Sequence, residues 1–312
     1  MNSTTIIRNE KEGGSPLFPK VSIIVATYRR KEALKKALTS LIAQTYSNFE
    51  VIVVDDNAEP KWNAEVEKIV NNMKKSNNIE ISYIQNNNNK GSAETRNIGI
   101  KIATGEYVTF LDDDDIYLPD KVRKQVEQMT KVGADFSLTD LWLYDEKGNL
   151  IEKRIRDYIK DHSSESLIRY HLIHHMTGTD VMMFKKSYLI DIGLFSPIDV
   201  GDEFYLMQKA IDGEGIFSYL PGCEVKAYVH RETDGLSSGD KKIKGENELY
   251  EYKRKYFDKL TPKEQRYVNM RHYAVIAYAE FRKKRYLSMI KNSCISFIFS
   301  PIKFLELYIN RK

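Results

Sequence analysis

Over the first 120 residues the apolar positions fall into two alternating patterns. Val21–Thr27, Phe49–Val54 and Tyr107–Leu111 are short β-favouring runs that are nearly all apolar, and Ile79–Ile84 is a fourth, more mixed run. Continuous apolar runs of this length mark strands covered on both faces. Between the first two runs, Leu34, Leu38, Leu41 and Ile42 recur at i, i+4, i+7 and i+8, the spacing of one helix face. A polar helix is predicted around residues 63–75. The Asn86–Asn89 stretch and Gly91 form a loop, and Ser92 is placed to cap a further helix reaching Ala103. Strand and helix therefore alternate three times before the fourth strand. That order predicts a mostly parallel sheet with crossover helices, an α/β fold.

Past residue 120 the pattern loosens. A helix runs from Leu118-Pro119-Asp120 to about Lys131, and Asp135–Tyr144 and Leu150–Ile155 read as a hairpin about Glu146-Lys147-Gly148-Asn149. Residues 156–176 look irregular. Thr179–Phe184 reads as a strand, Gly193-Leu194-Phe195 as a turn, Gly201–Met207 as the start of a helix, and residues 216–230 as two short strands. From Glu246 the chain turns helical. Thr261-Pro262-Lys263-Glu264 is a capping signature for a long helix to about Tyr286, and Ser300-Pro301 opens a last one, Ile302–Ile309.

Length changes the picture little: 312 residues can bury a substantial core, in one large or two modest domains. Charge changes it more. The net +4 hides an asymmetry, with 18 Lys/Arg against 7 Asp/Glu from Lys241 to Lys312 and an acidic excess before it. A basic tail suits nucleic acid, an anionic membrane surface or an acidic partner. Cys223 and Cys294 have no ligand spacing and read as free thiols in a reducing compartment. Met1–Lys20 carries no visible signal peptide, and no apolar run reaches the length of a membrane span.

The candidate chemistry lies at the strand ends. Tyr107–Leu111 runs straight into Asp112, Asp113, Asp114 and Asp115, while the first two strands end at Thr27-Tyr28 and Asp55-Asp56. Open α/β sheets place ligands at this carboxyl edge. Four adjacent anions repel one another, so either they form a solvated acidic turn capping the next helix or the fold supplies a cation. Oxygen donors of this kind suit Mg²⁺, Mn²⁺ or Ca²⁺. Arg96, early in the helix before the fourth strand, can reach the same edge, or can instead pair with Asp55. No Gly-x-Gly-x-x-Gly and no Gly-Lys-Ser/Thr loop is present, which argues against a dinucleotide fold or a P-loop. His162, His171, His174 and His175 lack a partnering Cys or acid motif, so they read as an acceptor-binding loop or plain surface rather than a zinc site.

Val21–Tyr28, Gln44–Glu50, Val53–Asn57, and Arg96-Asn97 followed by Gly105–Asp115 stand in the order and spacing of a known family. Residues 21 to about 120 resemble the nucleotide-sugar-binding half of the family 2 glycosyltransferases of GT-A fold. The resemblance implies a mostly parallel central sheet flanked by helices, with a helical C-terminal appendage. It implies a leader over residues 1–17, a catalytic domain over 18–240 divided near residue 120 into donor and acceptor halves, and a basic appendage over 241–312. It implies that Thr27, Tyr28, Asp56 and Arg96 hold the nucleobase and its surroundings, with Asp55 beside them. Asp113 would meet the ribose and Asp114 the metal, Mn²⁺ or Mg²⁺, with Asp112 and Asp115 the neighbours in reserve. Arg29 stands where the family often has Asn.

The family also places its catalytic acid at a helix head well beyond the metal motif. Asp202, with Glu203 as fallback, fits that position, and a carboxylate there could take the acceptor's proton. His230 would complete the metal sphere, or with Arg231 touch the diphosphate. The implied activity is inverting, metal-dependent transfer of one sugar from a nucleotide-diphosphate donor, uridine by resemblance, to a hydroxyl of a glycan or lipid-linked acceptor. No Gln-x-x-Arg-Trp signature is present, which disfavours a polymer-extruding synthase. The expected place is cytoplasmic, with no nucleic-acid partner. The apolar residues of the C-terminal helices either rest on the inner face of the plasma membrane or pack against the catalytic domain or in a dimer. Two rivals remain at this point: a sugar nucleotidyltransferase, and a non-catalytic glycan- or partner-binding protein on the same fold.

Overall fold

The computed structural model describes residues 19–76, 79–198, 200–229 and 239–309. Strands β1 (Val21–Thr27), β2 (Phe49–Asp55), β3 (Glu80–Gln85) and β4 (Tyr107–Phe110) alternate with helices α1 (Lys31–Ile42), α2 (Pro60–Ser76) and α3 (Ser92–Ile102). Next come β5 (Ile116–Tyr117), α4 (Lys121–Val132), β6 (Phe136–Thr139), β7 (Leu141–Tyr144) and β8 (Leu150–Arg154). Then follow α5 (Ser164–His174), β9 (Met182–Lys185), α6 (Lys186–Asp191), α7 (Asp202–Asp212), β10 (Phe217–Leu220) and β11 (Val225–Tyr228). Helices α8 (Gly239–Arg254), α9 (Pro262–Arg282), α10 (Tyr286–Phe299) and α11 (Pro301–Ile309) end the described chain.

A seven-stranded sheet in the order β10-β6-β9-β4-β1-β2-β3 forms the centre. It is parallel except for β9, which runs antiparallel between β4 and β6. Strand β1 is buried on both faces, as its apolar run requires, and Leu34, Leu38 and Leu41 of α1 belong to the same core. The buried Glu50 carboxylate pins the entry to β1 and β4, accepting from Ser22 Oγ at 2.5 Å and Thr104 N at 2.7 Å. Ser22 Oγ in turn accepts from Gly105 N at 2.9 Å. Gly105 is needed there, because a Cβ would lie 2.6 Å from Ser22 N and 2.8 Å from Lys20 O.

Four features differ from the pattern reading. The stretch 135–144 is two strands, because Asp140 turns the chain out of the large sheet into a smaller one of order β5-β11-β7-β8. Its carboxylate accepts from Arg156 N at 2.9 Å, Tyr219 OH at 2.6 Å and Gly222 N at 2.8 Å. The irregular 156–176 segment contains α5, capped by Ser163 and anchored by Leu167, His171 and Leu172. Thr179–Val181 is a 3₁₀ turn leading into β9. The expected long helix ends at Arg282, and a separate α10 follows.

The C-terminal helices join the body through a second apolar cluster of Leu172, Phe204, Leu249, Leu260 and Val268. Arg169 donates to Glu264 at 2.7 Å across the same contact, and Thr261 and Glu264 form the capping box expected at the start of α9.

Candidate active site

The parallel register sets Thr27 beside Asp55 and Ile24 beside Phe110, so the chain leaves β1, β2 and β4 along one edge. Strand β9 reaches that edge from the opposite direction. Its pairing of Met183 with Thr109, continued for three residues, brings Asp180 level with Asp112. The contact is made: Asp112 N donates to Asp180 Oδ1 at 2.6 Å. Asp112, Asp115 and Asp180 then offer carboxylate oxygens all within 4.8 Å of one another. Burial pushes the Asp115 and Asp180 carboxyls upward, and the nearby charge of Asp112 adds to it for both. Asp180 raises Asp115 further, whereas the hydrogen bond between them pulls Asp180 back. Asp180 is the acid that sequence reasoning missed. Its only signal was an acid at the head of a strand, and its place depends on an antiparallel register no local pattern reveals.

Arg96 ties the two acidic groups together. Its Nη2 donates to Asp112 Oδ1 at 2.6 Å and its Nη1 to Asp202 Oδ2 at 3.0 Å, and the guanidinium lies over the Phe195 ring. Burial works against its charge, but Asp112 and Asp202 outweigh that and hold it firmly protonated. The alternative pairing of Arg96 with Asp55 is therefore not the one made. Asp202 opens α7, where the helix dipole favours an acid. Burial pushes its pKa upward while Arg96 pulls it back. Glu203 points elsewhere, and its Oε2 accepts from Gly178 N at 2.8 Å.

Asp113 is buried and accepts from Thr27 Oγ1 at 2.7 Å and Tyr28 N at 3.1 Å. Burial, then Asp114, raises its pKa to about 6, against the pull of Arg30. Arg30 Nη1 lies 3.1 Å from Asp113 Oδ1 and 2.7 Å from Asp114 Oδ2, so a cation already bridges these two acids. Tyr28 stands 43% exposed at the rim with Arg29 over its ring, and Arg29 adopts φ 54°.

Asp55 and Asp56 lie at the same edge with their oxygens engaged. Asp55 accepts from Tyr83 OH at 2.7 Å and Asn57 N at 2.9 Å. Asp56 accepts from Asn86 Nδ2, Lys90 N and Gly91 N at 2.8–2.9 Å, which folds the 86–91 loop against β2. His230 and Arg231 lie outside the described residues. The histidines of α5 are packing groups. His171 is fully buried, accepts from Met176 N at Nδ1 and donates from Nε2 to Phe204 O, while His174 stacks on Tyr158.

A sheet edge holding these carboxylates, one clasping arginine and an exposed tyrosine has the make-up of a phosphate–metal site. The sequence model for glycosyl transferase family 2 matches residues 22–190, more than half of the chain. The chain belongs to glycosyltransferase family 2. An uncharacterized glycosyltransferase of Haemophilus influenzae is 31% identical over 176 residues, covering 55% of each chain. The Escherichia coli UDP-Glc:alpha-D-GlcNAc-diphosphoundecaprenol beta-1,3-glucosyltransferase WfaP is 36% identical over 124 residues, 39% of this chain and 46% of WfaP. This family 2 member thus spans about half the length of these curated relatives. In structure it resembles S. aureus TarS in complex with UDP-GlcNAc, with a TM-score of 0.55, 20% identity, and coverage of 90% of this chain and 71% of TarS. It also resembles the mannosyltransferase PcManGT of Pyrobaculum calidifontis in complex with GDP-Man and Mn²⁺, with a TM-score of 0.59, 15% identity, and coverage of 94% and 84%. At these identities the likeness gives the fold of this family 2 chain, which is GT-A.

The described donor set, Asp112, Asp115 and Asp180, fits a divalent cation, since each offers a hard carboxylate oxygen. The paired Asp113 and Asp114 also accept a cationic partner from the solvent side, since the Arg30 side chain that fills that role is 43% exposed.

Proposed function

We propose that the protein transfers one sugar, with inversion, from a nucleotide-diphosphate donor to a hydroxyl of a glycan or lipid-linked acceptor in surface polysaccharide synthesis. The observation that carries this reading is the Arg96 clasp, which fixes Asp202 beside the acids at the end of β4. A transfer centre needs this juxtaposition: donor-side carboxylates and a separate carboxylate free to take a proton. Thr27, Tyr28, Asp55, Asp56, Arg96, Asp112 and Asp113 form the nucleotide-sugar cradle in this reading. Asp114 and Asp115, with Asp180 alongside, hold Mn²⁺ or Mg²⁺, which when bound stabilises negative charge on the leaving diphosphate.

Asp202 accepts the acceptor's hydroxyl proton as that oxygen attacks the anomeric carbon. Its partial desolvation makes it a better base, and Arg96 keeps its carboxylate aimed. Glu203 positions the 178 turn and serves as the base only if Asp202 does not. A uridine donor is favoured over guanosine because WfaP is a UDP-glucose enzyme of higher sequence identity than PcManGT. The diphosphoundecaprenol acceptor in its name supports a lipid-linked acceptor here and a cytoplasmic, membrane-peripheral setting. Residues 18–240 form the catalytic domain in this reading, and residues 241–312 the appendage.

Thermal unfolding with UDP, GDP, CDP and dTDP, each with and without Mn²⁺, tests the reading. A ligand that binds only the native state raises the melting temperature by mass action. One nucleotide, UDP, is expected to give a shift that needs the metal. No shift with any of the four would overturn the donor assignment.

A further inference from the structure

The last two described helices leave a row of large apolar side chains in water. The less exposed side of α10 carries Ser288, Asn292, Ser293 and Ser296 together with Met289, Ile295 and Phe299. Ser296 is fully buried and donates from Oγ to the Met270 carbonyl of α9 at 2.7 Å. The opposite side carries Leu287, Ile290, Phe297 and Ile298, at the spacing of a single face. Leu287 is 87% exposed and Ile298 70%. On α11 Ile302 extends the apolar set, 73% exposed. An amphipathic helix ordinarily turns its apolar side to the core, and large aliphatic side chains left this open are uncommon outside interaction surfaces.

Cations accompany this face. Arg282 ends α9, Lys284 lies in the turn that follows, and Lys291 lies on α10 itself. None of the three has an ion pair among the described residues. Lys283 and Arg285, by contrast, are paired with Asp240. Burying the face against the same face of a second copy would set these unpaired cations against each other. A surface of anionic headgroups over hydrocarbon would take both parts at once. Helix α10 is 14 residues, or about 21 Å, against a hydrocarbon core of about 30 Å, and no described helix is long and apolar enough to cross a membrane. The helix can lie in a bilayer surface and cannot span it.

We infer that the outer face of α10 and α11 is a docking surface for an anionic lipid bilayer, with Leu287, Ile298 and Ile302 entering the acyl boundary and Arg282, Lys284 and Lys291 meeting headgroups. This deepens the membrane setting of the proposed function and rests on that part of it alone, so it survives or fails independently of the donor site.

Flotation of the full chain with vesicles tests it. Binding is expected to vesicles of phosphatidylcholine with about 30% phosphatidylglycerol, to be absent with phosphatidylcholine alone, and to fall in about 0.5 M salt. The triple variant Leu287→Glu, Ile298→Glu, Ile302→Glu is expected to bind at least about tenfold more weakly. Its melting temperature and its nucleotide-induced shift should be unchanged, because the three side chains touch water. The variant Arg282→Gln, Lys284→Gln, Lys291→Gln is expected to lose on the order of a hundredfold. Failure of the unaltered chain to float with anionic vesicles would overturn the inference, as would unchanged binding by the triple Glu variant. So would a wild-type dimer that this variant converts to a monomer, since the face would then be a contact between copies.

Discussion

Arg30 and Arg96 show how differently two arginines can serve one acidic edge. Arg96 is buried between Asp112 and Asp202 and is a fixed part of the framework. Arg30 is the more exposed of the two and covers Asp113 and Asp114 from the solvent side. A cation entering at Asp114 competes with that guanidinium for the same oxygens. Arg30→Gln is therefore expected to tighten Mn²⁺ binding to the nucleotide-free protein by about tenfold, read by the electron paramagnetic resonance of free Mn²⁺. Asp202→Asn keeps the hydrogen-bonding shape and removes the base. Transfer should fall by about 10²- to 10⁴-fold while the nucleotide-induced melting shift is retained. Unchanged turnover would remove Asp202 from the mechanism.

Legibility at this scale followed chain locality. The four aspartates and Arg96 could be found because each sits at the end or the beginning of a strongly patterned element. Asp180 could not be found, because its partnership with Asp112 and Asp115 depends on a strand pairing across some seventy residues. The occupied state of Asp56 was equally hidden, since the Lys90 and Gly91 backbone amides that bind it carry no side-chain signature.

Among the elements, those with strong periods were legible and those held by tertiary contacts were not. The β1 to β4 alternation appeared in full. Helix α5 escaped notice because its buried positions are few and include a histidine, so its apolar stripe is faint. The break at Asp140 was invisible in a run that looks uniformly strand-like, because what ends the strand is a set of hydrogen bonds from distant Arg156, Tyr219 and Gly222. The close approach at Gly105 makes a prediction. Gly105→Ala puts a methyl group against the Lys20 and Ser22 backbone, which cannot give way as a side chain can. A loss of about 1–3 kcal/mol in stability is expected by urea denaturation, as for other overpacked sites.

For the whole molecule, the buried histidines contribute a loss of stability on acidification. Burial lowers His171 to about 3 from its ordinary 6.5, and its two ring nitrogens are both used within the fold as a neutral ring. The folded-state value lies below the unfolded one, so the stabilisation is complete above about pH 6.5 and is lost as pH falls towards 3. Below pH 6.5 the unfolded chain takes up a proton that the native ring refuses. At pH 5 this one ring accounts for a loss of about 2 kcal/mol. His272, lowered to about 4, and His174 and His175, also lowered by burial, act in the same direction. The raised carboxyls of Asp113, Asp115 and Asp180 take up protons first in the folded chain and act in the opposite direction, so the histidine effect is read by difference. The stability of the wild type relative to His171→Gln should fall by about 2 kcal/mol between about pH 7 and 5, and an unchanged difference would contradict the buried neutral ring.

The antiparallel β9 also imposes an order on synthesis. A nascent chain that has emerged through α4 can pair β1 to β4 side by side, yet the far edge of β4 stays open until Met182–Lys185 leave the ribosome. During that interval the open strand carries Val108 and Phe110 on an unpaired, apolar edge, the kind of edge that recruits other chains. Strand β6 waits for the same four residues, because its other neighbour, β10, is made later still. Arrival of β9 therefore joins the two halves of the sheet and delivers Asp180 to the acidic edge in one event, so an incomplete chain has neither a closed sheet nor its full set of carboxylates.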